Sequence, residues 1–288
     1  MKNLHTLIFT CGLVCPMVPA FASVSFNSIG QTYSQNFNTF EGTETSLPDN
    51  WSFEGDGTDI FRGVFNSSTD SASTFTGVMA ATNGSSGNSI VWRESTGGAS
   101  LDDFRLILSV TNNTSTAITS FEYQYTLETW VNGRRDNELR FKYDTILDDT
   151  AADRGTFEND IVARNSQFTQ NPNHTPIASN GEQFVLDGTQ AANQTIVFGT
   201  LDLTTFLIDE SDPSAGVFGA LQPGETGYFR WQISNNQLTD GNRSALGIND
   251  LSLTAIPEPR VYASLAGLFA FTWVVYRRRA QVHKAIEG

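Results

Sequence analysis

The amino-acid sequence predicts an all-β protein, an antiparallel β-sandwich that lies between two short apolar ends. Apolar and polar side chains alternate along several segments, which is the pattern of a strand with one buried face. Turn signals rich in Gly, Asn and Pro separate these segments, and long amphipathic helical patterns are missing. Many short strands joined by such turns are typical of an antiparallel sandwich.

The alternation is clearest in five segments of the middle of the chain. These segments are 104–110, 121–127, 139–143, 229–233 and 246–253. In the first segment Leu106, Leu108 and Val110 share one face, and Arg105 and Ser109 lie on the other. The last segment breaks step at Asn249-Asp250, which predicts a β-bulge. The turn signals between segments are Asn112-Asn113, Asn132-Gly133, Pro223-Gly224 and Asp240-Gly241.

The segment 145–180 differs from the rest of the middle. It is polar, contains Pro172 and Pro176, and offers only Ile161-Val162 and Phe168 as strand residues. We therefore expect a long excursion over the surface.

The N-terminus has the three parts of a secretory signal peptide. Met1-Lys2 begins a basic region, an apolar stretch runs from Leu4 to Val18, and Ala20-Phe21-Ala22 forms a small-x-small cleavage site. An N-terminal core helix is the alternative, but no clear polar face accompanies the apolar stretch. The pattern predicts a signal peptide over 1–22, so that the mature chain begins at Ser23.

The C-terminus has a short apolar run followed by a basic cluster. Pro257-Glu258-Pro259 precedes an uncharged run of 16 residues over 261–276, and Arg277, Arg278 and Arg279 follow it. Arginines at one end of an apolar helix place that end on the cytoplasmic side of a membrane. The run would be about 24 Å long as a helix, shorter than the roughly 20 residues of a comfortable span. These features favour a processing signal over a permanent anchor.

These C-terminal residues, Pro257 to Arg279, resemble the PEP-CTERM sorting signal, with its Pro-Glu-Pro box, apolar helix and arginine cluster in order. The resemblance implies processing by exosortase, a membrane protease of Gram-negative bacteria that make exopolysaccharide. It also implies a precursor held transiently in the inner membrane and a mature form at the cell surface or in the extracellular matrix. The expected parts are an ectodomain over 23–256, a sorting signal with a single transmembrane helix over 257–281, and a cytoplasmic tail over 282–288.

Composition limits the chemistry of the predicted ectodomain. Both cysteines, Cys11 and Cys15, lie in the predicted signal peptide, so residues 23–256 have neither disulfides nor thiol chemistry. These residues include 29 acidic and 11 basic side chains. Nucleic acid and anionic lipid are poor partners for such a surface, because phosphate binding depends on cationic side chains. The acidity fits extracellular solubility or, as the alternative, binding of divalent cations.

A second resemblance concerns the ectodomain itself. The segments 106–130 and 225–255, and the opening 33–51, resemble a widespread bacterial secreted β-sandwich that is jelly-roll or lectin-like in shape. The resemblance implies a jelly-roll-like architecture. Its motifs are structural, and it transfers no catalytic residue.

Few residues are suited to catalysis. His174 is the only histidine of 23–256, it lies in a loop bounded by prolines, and no Gly-x-Ser-x-Gly elbow occurs. Zinc sites built on several histidines are therefore excluded. Carboxylate pairs of the kind that glycosidases use remain as candidates. They are Glu122 with Glu128, Glu158 with Asp160, and the group Asp209, Glu210 and Asp212. The tight Glu-x-Asp-x-Glu pattern of lectin-fold glycosidases is absent, and we expect no enzyme.

Aromatic and basic side chains supply the candidate residues for binding a ligand. Of the four tryptophans in 23–256, Trp130 ends a predicted strand near a loop tip and is the candidate for stacking on a sugar ring. Core packing is the alternative. Arg134, Arg135 and Arg140 form a basic island that is suited to binding an acidic polysaccharide, or to pairing with the neighbouring Asp136 and Glu138.

No cofactor is certain from the sequence, and calcium is the candidate ion. Calcium takes six to eight oxygen ligands, commonly from loops. Asp56 and Asp59 lie in a Gly/Asp-rich turn, and Asp250 lies on the last strand where other jelly rolls place acids near a structural ion. Solvated turn acids are the alternative, because no EF-hand or Gly/Asp repeat is present.

We expect an exported protein with a structural or adhesive role within an exopolysaccharide layer. A non-catalytic carbohydrate-binding module is the first alternative, and a polysaccharide hydrolase is the second. Exposed aromatic side chains on the sandwich favour binding, whereas fully buried tryptophans favour the structural role.

Overall fold

The computed structural model describes residues 23–54, 61–74, 77–84, 88–93, 105–133, 137–144, 168–169, 183–204, 219–235, 244–256, 269–274 and 276–277. Almost all regular structure in these ranges is β-strand. The strands are β1 (Val24–Phe26), β2 (Thr32–Gln35), β3 (Trp51–Glu54), β4 (Phe61–Asn66), β5 (Gly77–Thr82), β6 (Ser89–Arg93), β7 (Arg105–Asn112), β8 (Ser120–Asn132), β9 (Asn137–Asp144), β10 (Phe168–Thr169), β11 (Phe184–Val185), β12 (Gln194–Asp202), β13 (Thr226–Asn235) and β14 (Ala245–Ile256). Short 3-10 turns lie at Glu44–Ser46, Ala72–Thr74 and Ala191–Asn193.

The strands form two sheets. The first sheet has the order β1-β7-β13-β9-β10, with β3 also paired to β7. The second sheet has the order β11-β8-β14-β6-β5-β4, with β12 also paired to β8 and β2 to β14. Most pairs are antiparallel, as predicted, but β1 with β7 and β4 with β5 are parallel. Strands that follow each other along the chain often lie in different sheets, so many connections cross from one sheet to the other.

The inner faces of the two sheets pack against each other. Tyr125 of the second sheet meets Trp231 of the first edge-on, with ring centroids 5.9 Å apart, and Phe121 meets Phe229 in the same way at 5.2 Å. Within the first sheet Phe141 stacks on Trp231 at 4.7 Å. Such edge-to-face and offset contacts are the favourable arrangements of aromatic rings. The all-β sandwich predicted from alternation is therefore confirmed.

The five predicted strand segments correspond to β7, β8, β9, β13 and β14, and Phe104 at the start of the first segment lies outside the described residues. The predicted bulge at Asn249-Asp250 is also confirmed, because the register of β14 against β8 shifts between Asn249 and Ser252. Asp250 has a φ of 49° at this irregularity. Of the excursion over 145–180, only β10 is described, and it contains the predicted strand residue Phe168.

Strand β7 differs from the expectation of one buried face. Leu106 and Leu108 face the core, but Arg105, Ile107 and Ser109 on the opposite face are also buried. The sequence alternation distinguishes the two faces correctly but does not reveal that both are covered.

The second sheet carries a smaller hydrophobic cluster on its outer face. We call it the outer cluster, and its members are Phe65, Ala72, Met79, Ala81, Val91, Trp130, Val131 and Ala245. The segment after β11 covers it so closely that a Cβ on Gly188 would lie 2.3 Å from Cε2 of Trp130. The Arg93 side chain joins the covering segments by donating from Nη1 to the carbonyl of Ala72 at 2.8 Å and from Nη2 to Oε1 of Gln183 at 2.7 Å.

Candidate functional site

Part of the outer face of the second sheet is open to solvent. We call it the open face, and it is built by the outward side chains of the neighbouring strands β12, β8, β14 and β2. The strand register aligns them in two rows, Phe198–Gln124–Ser252–Ser34 and Thr200–Glu122–Thr254–Thr32. Neighbouring strands are about 4.8 Å apart, so each row is about 14 Å long.

The open face is positioned by the alternation of the strands that form it. Val197 and Leu201 of β12 and Leu251 and Leu253 of β14 point into the core. Successive side chains of a strand point to opposite faces. The residues that alternate with these leucines and Val197 therefore point outward. The core therefore fixes which side chains the face presents.

The open face is mostly uncharged and rich in hydrogen-bonding groups. Hydroxyl groups both donate and accept, and the Gln124 amide does so as well. Thr32 and Thr254 hydrogen-bond to each other through their hydroxyl groups at 2.8 Å. Glu122 is the one acidic side chain in the two rows, and the rows include no basic one. The face is therefore suited to a neutral ligand rich in hydroxyl groups.

Two large apolar side chains border these polar rows on β12. The Phe198 side chain is 75% exposed and the Ile196 side chain is 61% exposed. Both point outward, because Val197 between them is buried. A phenyl ring offers an apolar face that can cover the apolar face of a flat ring ligand.

Next to the open face lies a buried carboxyl group on β8. Glu128 is 1% exposed, and burial raises the pKa of its carboxyl group above the ordinary value of 4.5. Hydrogen bonds oppose this shift. Oε2 accepts from Ser89 Oγ at 2.5 Å and from Trp130 Nε1 at 2.8 Å, and Oε1 accepts from Gln194 Nε2 at 3.3 Å. Buried among these donors, Glu128 has no direct access to a ligand and serves to hold the sheet together.

Trp130, the tryptophan predicted to contact a ligand, lies in the outer cluster instead. Its side chain is fully buried, and its indole nitrogen donates to Glu128. The ring has no face left for a sugar, so the core-packing alternative describes this residue. The reason is that the segment after β11 covers this part of the outer face, where a Cβ on Gly188 would lie 2.3 Å from Cε2 of Trp130.

The other three tryptophans of residues 23–256 are also buried. Trp92 and Trp231 are fully buried, and Trp51 is 7% exposed. The Trp51 indole nitrogen donates to the Tyr33 hydroxyl at 2.8 Å. Phe198 and Phe184 are exposed aromatic side chains that the sequence analysis missed, and only Phe198 lies in the rows of the open face. The signal for Phe198 was available in Gln194–Asp202, where Ile196 and Phe198 share a face of an alternating segment.

The basic and calcium candidates are only partly described. Arg134, Arg135, Asp56 and Asp59 lie outside the described residues. Asp250 is exposed at the bulge, where its backbone NH donates to Oδ1 of Asn249 at 2.9 Å. Within the ranges that the structure describes, no three side chains of His, Cys, Asp or Glu come together as a metal site.

One of the candidate carboxylate pairs can be measured along β8. Glu122 and Glu128 are six residues apart on one strand, which separates them by about 20 Å. Paired glycosidase carboxylates lie about 5–9.5 Å apart, so these two do not form such a pair. Glu158, Asp160, Asp209, Glu210, Asp212 and His174 lie outside the described residues.

Most of the targeting residues also lie outside the described residues, namely Ala20, Ala22, Pro257, Glu258, Pro259, Arg278 and Arg279. Of the predicted transmembrane helix, 269–274 and Tyr276 are described, and they are helical together with Arg277. The Arg277 guanidinium lies over the Trp273 ring, 5.3 Å from its centroid. No helix among the described residues has the length and apolar character needed to span a membrane.

A cavity lies beside the turn that leads into β3. Its volume is about 210 Å³, and it is lined by Glu44, Leu47, Pro48, Asp49, Asn50, Trp51, Ser52 and Ser109. Asn50 has a φ of 76° in this turn, and its carbonyl accepts from the NH of Ser109 at 3.1 Å. Trp51 is buried, so the cavity lacks the exposed ring that the open face has.

Comparison with known proteins places the chain near no characterised sequence. No protein-family model matches it, and no curated protein matches its sequence. Among solved structures, the K3 adhesin domain of Lys-gingipain from Porphyromonas gingivalis aligns with 77% of this chain and 98% of its own, at 13% identity and a TM-score of 0.41. The K1 adhesin domain of the same protein aligns with 78% and 99%, at 14% identity and a TM-score of 0.37. TmCBM61, solved in complex with β-1,4-galactotriose, aligns with 77% and 94%, at 10% identity and a TM-score of 0.30. Similarity as low as this transfers no function from these proteins to this chain.

Proposed function

We propose that this protein is an exported, non-catalytic β-sandwich that adheres to neutral polysaccharide through its open face. The observation that carries the proposal is the exposed Phe198 ring beside two rows of mostly uncharged hydroxyl and amide side chains. A polysaccharide presents the matching chemistry, with apolar ring faces and a surrounding set of hydroxyl groups.

The energetics favour a ligand of this kind. Covering the exposed Phe198 side chain contributes up to about 2 kcal/mol, and each new hydrogen bond adds a net contribution of about 1 kcal/mol. The side chains in the two rows are short, so ordering them on binding costs little side-chain entropy. A flat face of this size is suited to weak, repeated contacts along a polymer, as an adhesive role requires.

Charge separates neutral from acidic polymers. The whole chain has a formal net charge of −14, and Glu122 lies on the open face itself. An acidic polysaccharide would bring like charges together on this face, which costs binding energy. We therefore propose neutral polysaccharide as the ligand class of the open face, rather than the acidic polymer considered for Arg134 and Arg135.

The non-catalytic part of the proposal has its own support. The Glu122 and Glu128 carboxyl groups are too far apart to act on one bond, and Glu128 is buried. The open face has no histidine or cysteine side chain that could serve as base or nucleophile. A polysaccharide hydrolase is the alternative. Shortening of the polymer during incubation with the protein would support it.

Export and sorting complete the proposed function. The signal-peptide pattern ending at Ala22 and the sorting pattern from Pro257 to Arg279 support delivery to the cell surface or matrix, with exosortase as the processing partner. We expect the exported protein to have a mass that excludes both ends in cells that contain exosortase. An exported form that retains Arg277 to Arg279, seen by intact-protein mass spectrometry, would contradict this part.

Affinity electrophoresis tests the ligand class directly. Native gels containing neutral polysaccharides such as galactan, xylan or glucan are compared with gels containing polygalacturonate or alginate, with and without calcium. We expect retarded migration in at least one neutral gel and none in the acidic gels. Retardation only in the acidic gels would contradict the proposed chemistry of the open face.

A further inference from the structure

Strand β12 forms an edge of the second sheet that is long and regular. Its nine residues pair with β8 in unbroken antiparallel register, from Gln194 opposite Glu128 to Asp202 opposite Ser120. In the part of the chain that the structure describes, no strand pairs with its other side. Backbone NH and carbonyl groups along such an edge are a template for another strand.

The composition of β12 lacks the usual protection of an edge. No charged residue and no proline occurs in the fourteen residues between Asp187 and Asp202. The strand is rich in residues that favour β-structure, and Ile196 and Phe198 expose large apolar side chains. Natural edge strands are usually protected by a charge, a proline, a bulge or a short length.

The opposite edge of the same sheet has that protection. Strand β4 has six residues, pairs in parallel with β5, and shifts register between Phe61 and Val64. It also carries a charge inside the strand, Arg62, whereas the charged residue of β12, Asp202, is its last residue. The contrast within one sheet indicates that the regular edge at β12 is a feature of this strand rather than of the sheet.

We propose that β12 pairs with β12 of a second copy of this chain, antiparallel and about a two-fold axis at Phe198. A strand that pairs with itself in this way is self-complementary, as a two-fold interface requires. In this register Phe198 lies opposite the partner's Phe198, Ile196 opposite the partner's Thr200, and Gln194 opposite the partner's Asp202. The two phenyl rings meet as a cross-strand aromatic pair, which is a favourable contact in antiparallel sheets.

A second copy can approach this edge despite the acidity of the chain, because the edge segment itself is uncharged. Two molecules with a net charge of −14 repel each other at most approaches. The uncharged segment 188–201 is a place where two copies can meet without opposing carboxylates, and no other protein is needed to complete the pairing. The contact adds about nine backbone hydrogen bonds and joins the two open faces into one continuous surface.

Charge substitution at the axis tests this dimer. In Phe198→Lys two ammonium groups would lie directly opposite each other, so we expect dissociation to be roughly tenfold easier in sedimentation equilibrium of the full chain. Val64→Lys is the matched control, because Val64 is an exposed apolar residue on the opposite edge of the same sheet. We expect it to leave the association unchanged. A monomeric wild-type chain at every concentration, or equal effects of the two lysines, would overturn the proposal.

Cysteine cross-linking tests the register without relying on affinity. With Cys11 and Cys15 replaced by serine, a single cysteine in Phe198→Cys lies at the axis, within the Cβ separation that a disulfide spans. We expect rapid oxidation to a covalent dimer for Phe198→Cys, and none for Ile196→Cys or for Val64→Cys. Equal cross-linking of Val64→Cys, or failure of Phe198→Cys to cross-link, would overturn the two-fold pairing at Phe198. Polysaccharide is absent from both experiments, so their outcome is independent of the proposed function.

Discussion

Residue type does not show which aromatic side chains of this chain are exposed and which are buried. Tryptophan is the residue most often associated with sugar stacking, yet all four tryptophans of 23–256 are buried. Large apolar side chains gain most from burial, and a two-layer core offers the space for them. Phe198 is exposed because it lies on the outward face of an edge strand, a position that depends on which strand pairs with which. Sequence alternation predicted inward and outward faces but not this edge.

Glu128 predicts a specific pH dependence at the scale of one residue. Because burial raises the pKa of its carboxyl group above 4.5, the native state keeps the proton after the unfolded chain has lost it. The free energy of unfolding therefore falls as pH rises from about 4.5 through the native pKa, and this loss is absent below 4.5. We expect Glu128→Gln to remove that part of the pH dependence, measured as urea denaturation midpoints between pH 4 and 8.

Asp187→Asn is the control for this measurement. Burial disfavours the ionised Asp187 side chain, but hydrogen bonds from Thr189, Gln190 and Asn83 outweigh it and hold its pKa below 3.8. Its contribution is present above pH 3.8 and is lost as pH falls through the lower native pKa. The two effects have opposite signs and separate pH ranges. An unchanged slope in Glu128→Gln above pH 4.5 would contradict the account of the buried carboxyl group.

At the scale of elements, the end of β7 shows how a turn signal becomes structure. The dipeptide Asn112-Asn113 predicted a turn. In the structure the first asparagine is buried and the second is exposed. Asn112 is fully buried and donates from Nδ2 to the carbonyls of Thr116 and Leu221 at 2.9 and 2.8 Å. Its Oδ1 accepts from the NH and hydroxyl of Thr114 at 2.9 and 2.8 Å. One side chain thus ties β7 to the turn before β8 and to the segment before β13.

This arrangement predicts unequal effects for the two asparagines. Asn112→Ala leaves buried partners without their hydrogen bonds, so we expect a loss of about 2 kcal/mol in the free energy of unfolding. Asn113 has an exposed side chain, and Asn113→Ala should change the free energy by less than about 0.5 kcal/mol. Urea denaturation of both variants makes the comparison, and equal losses would show that Asn112 is not the link between these elements.

At the scale of the whole molecule, the sequence predicted the layer architecture from its most regular strands. The long strands β7, β8, β13 and β14 were predictable because each keeps its alternation over many residues. The outer cluster was not predictable, because it depends on long-range contacts such as Arg93 with Gln183, ninety residues apart. The open face was missed for the same reason. Its two rows join four strands that are far apart in the chain, and only strand pairing brings them together.

The comparison of two phenylalanines tests the central claim, that the open face binds neutral polysaccharide. Phe198 and Phe184 are both exposed, at 75% and 53%, but Phe184 lies on β11 outside the two rows of the open face. Dissociation constants are measured by affinity electrophoresis in the neutral polysaccharide that retards the wild-type protein most. We expect Phe198→Ala to weaken binding to the polysaccharide roughly tenfold and Phe184→Ala to leave it unchanged. Equal binding by wild type and Phe198→Ala, or a larger loss in Phe184→Ala, would contradict it.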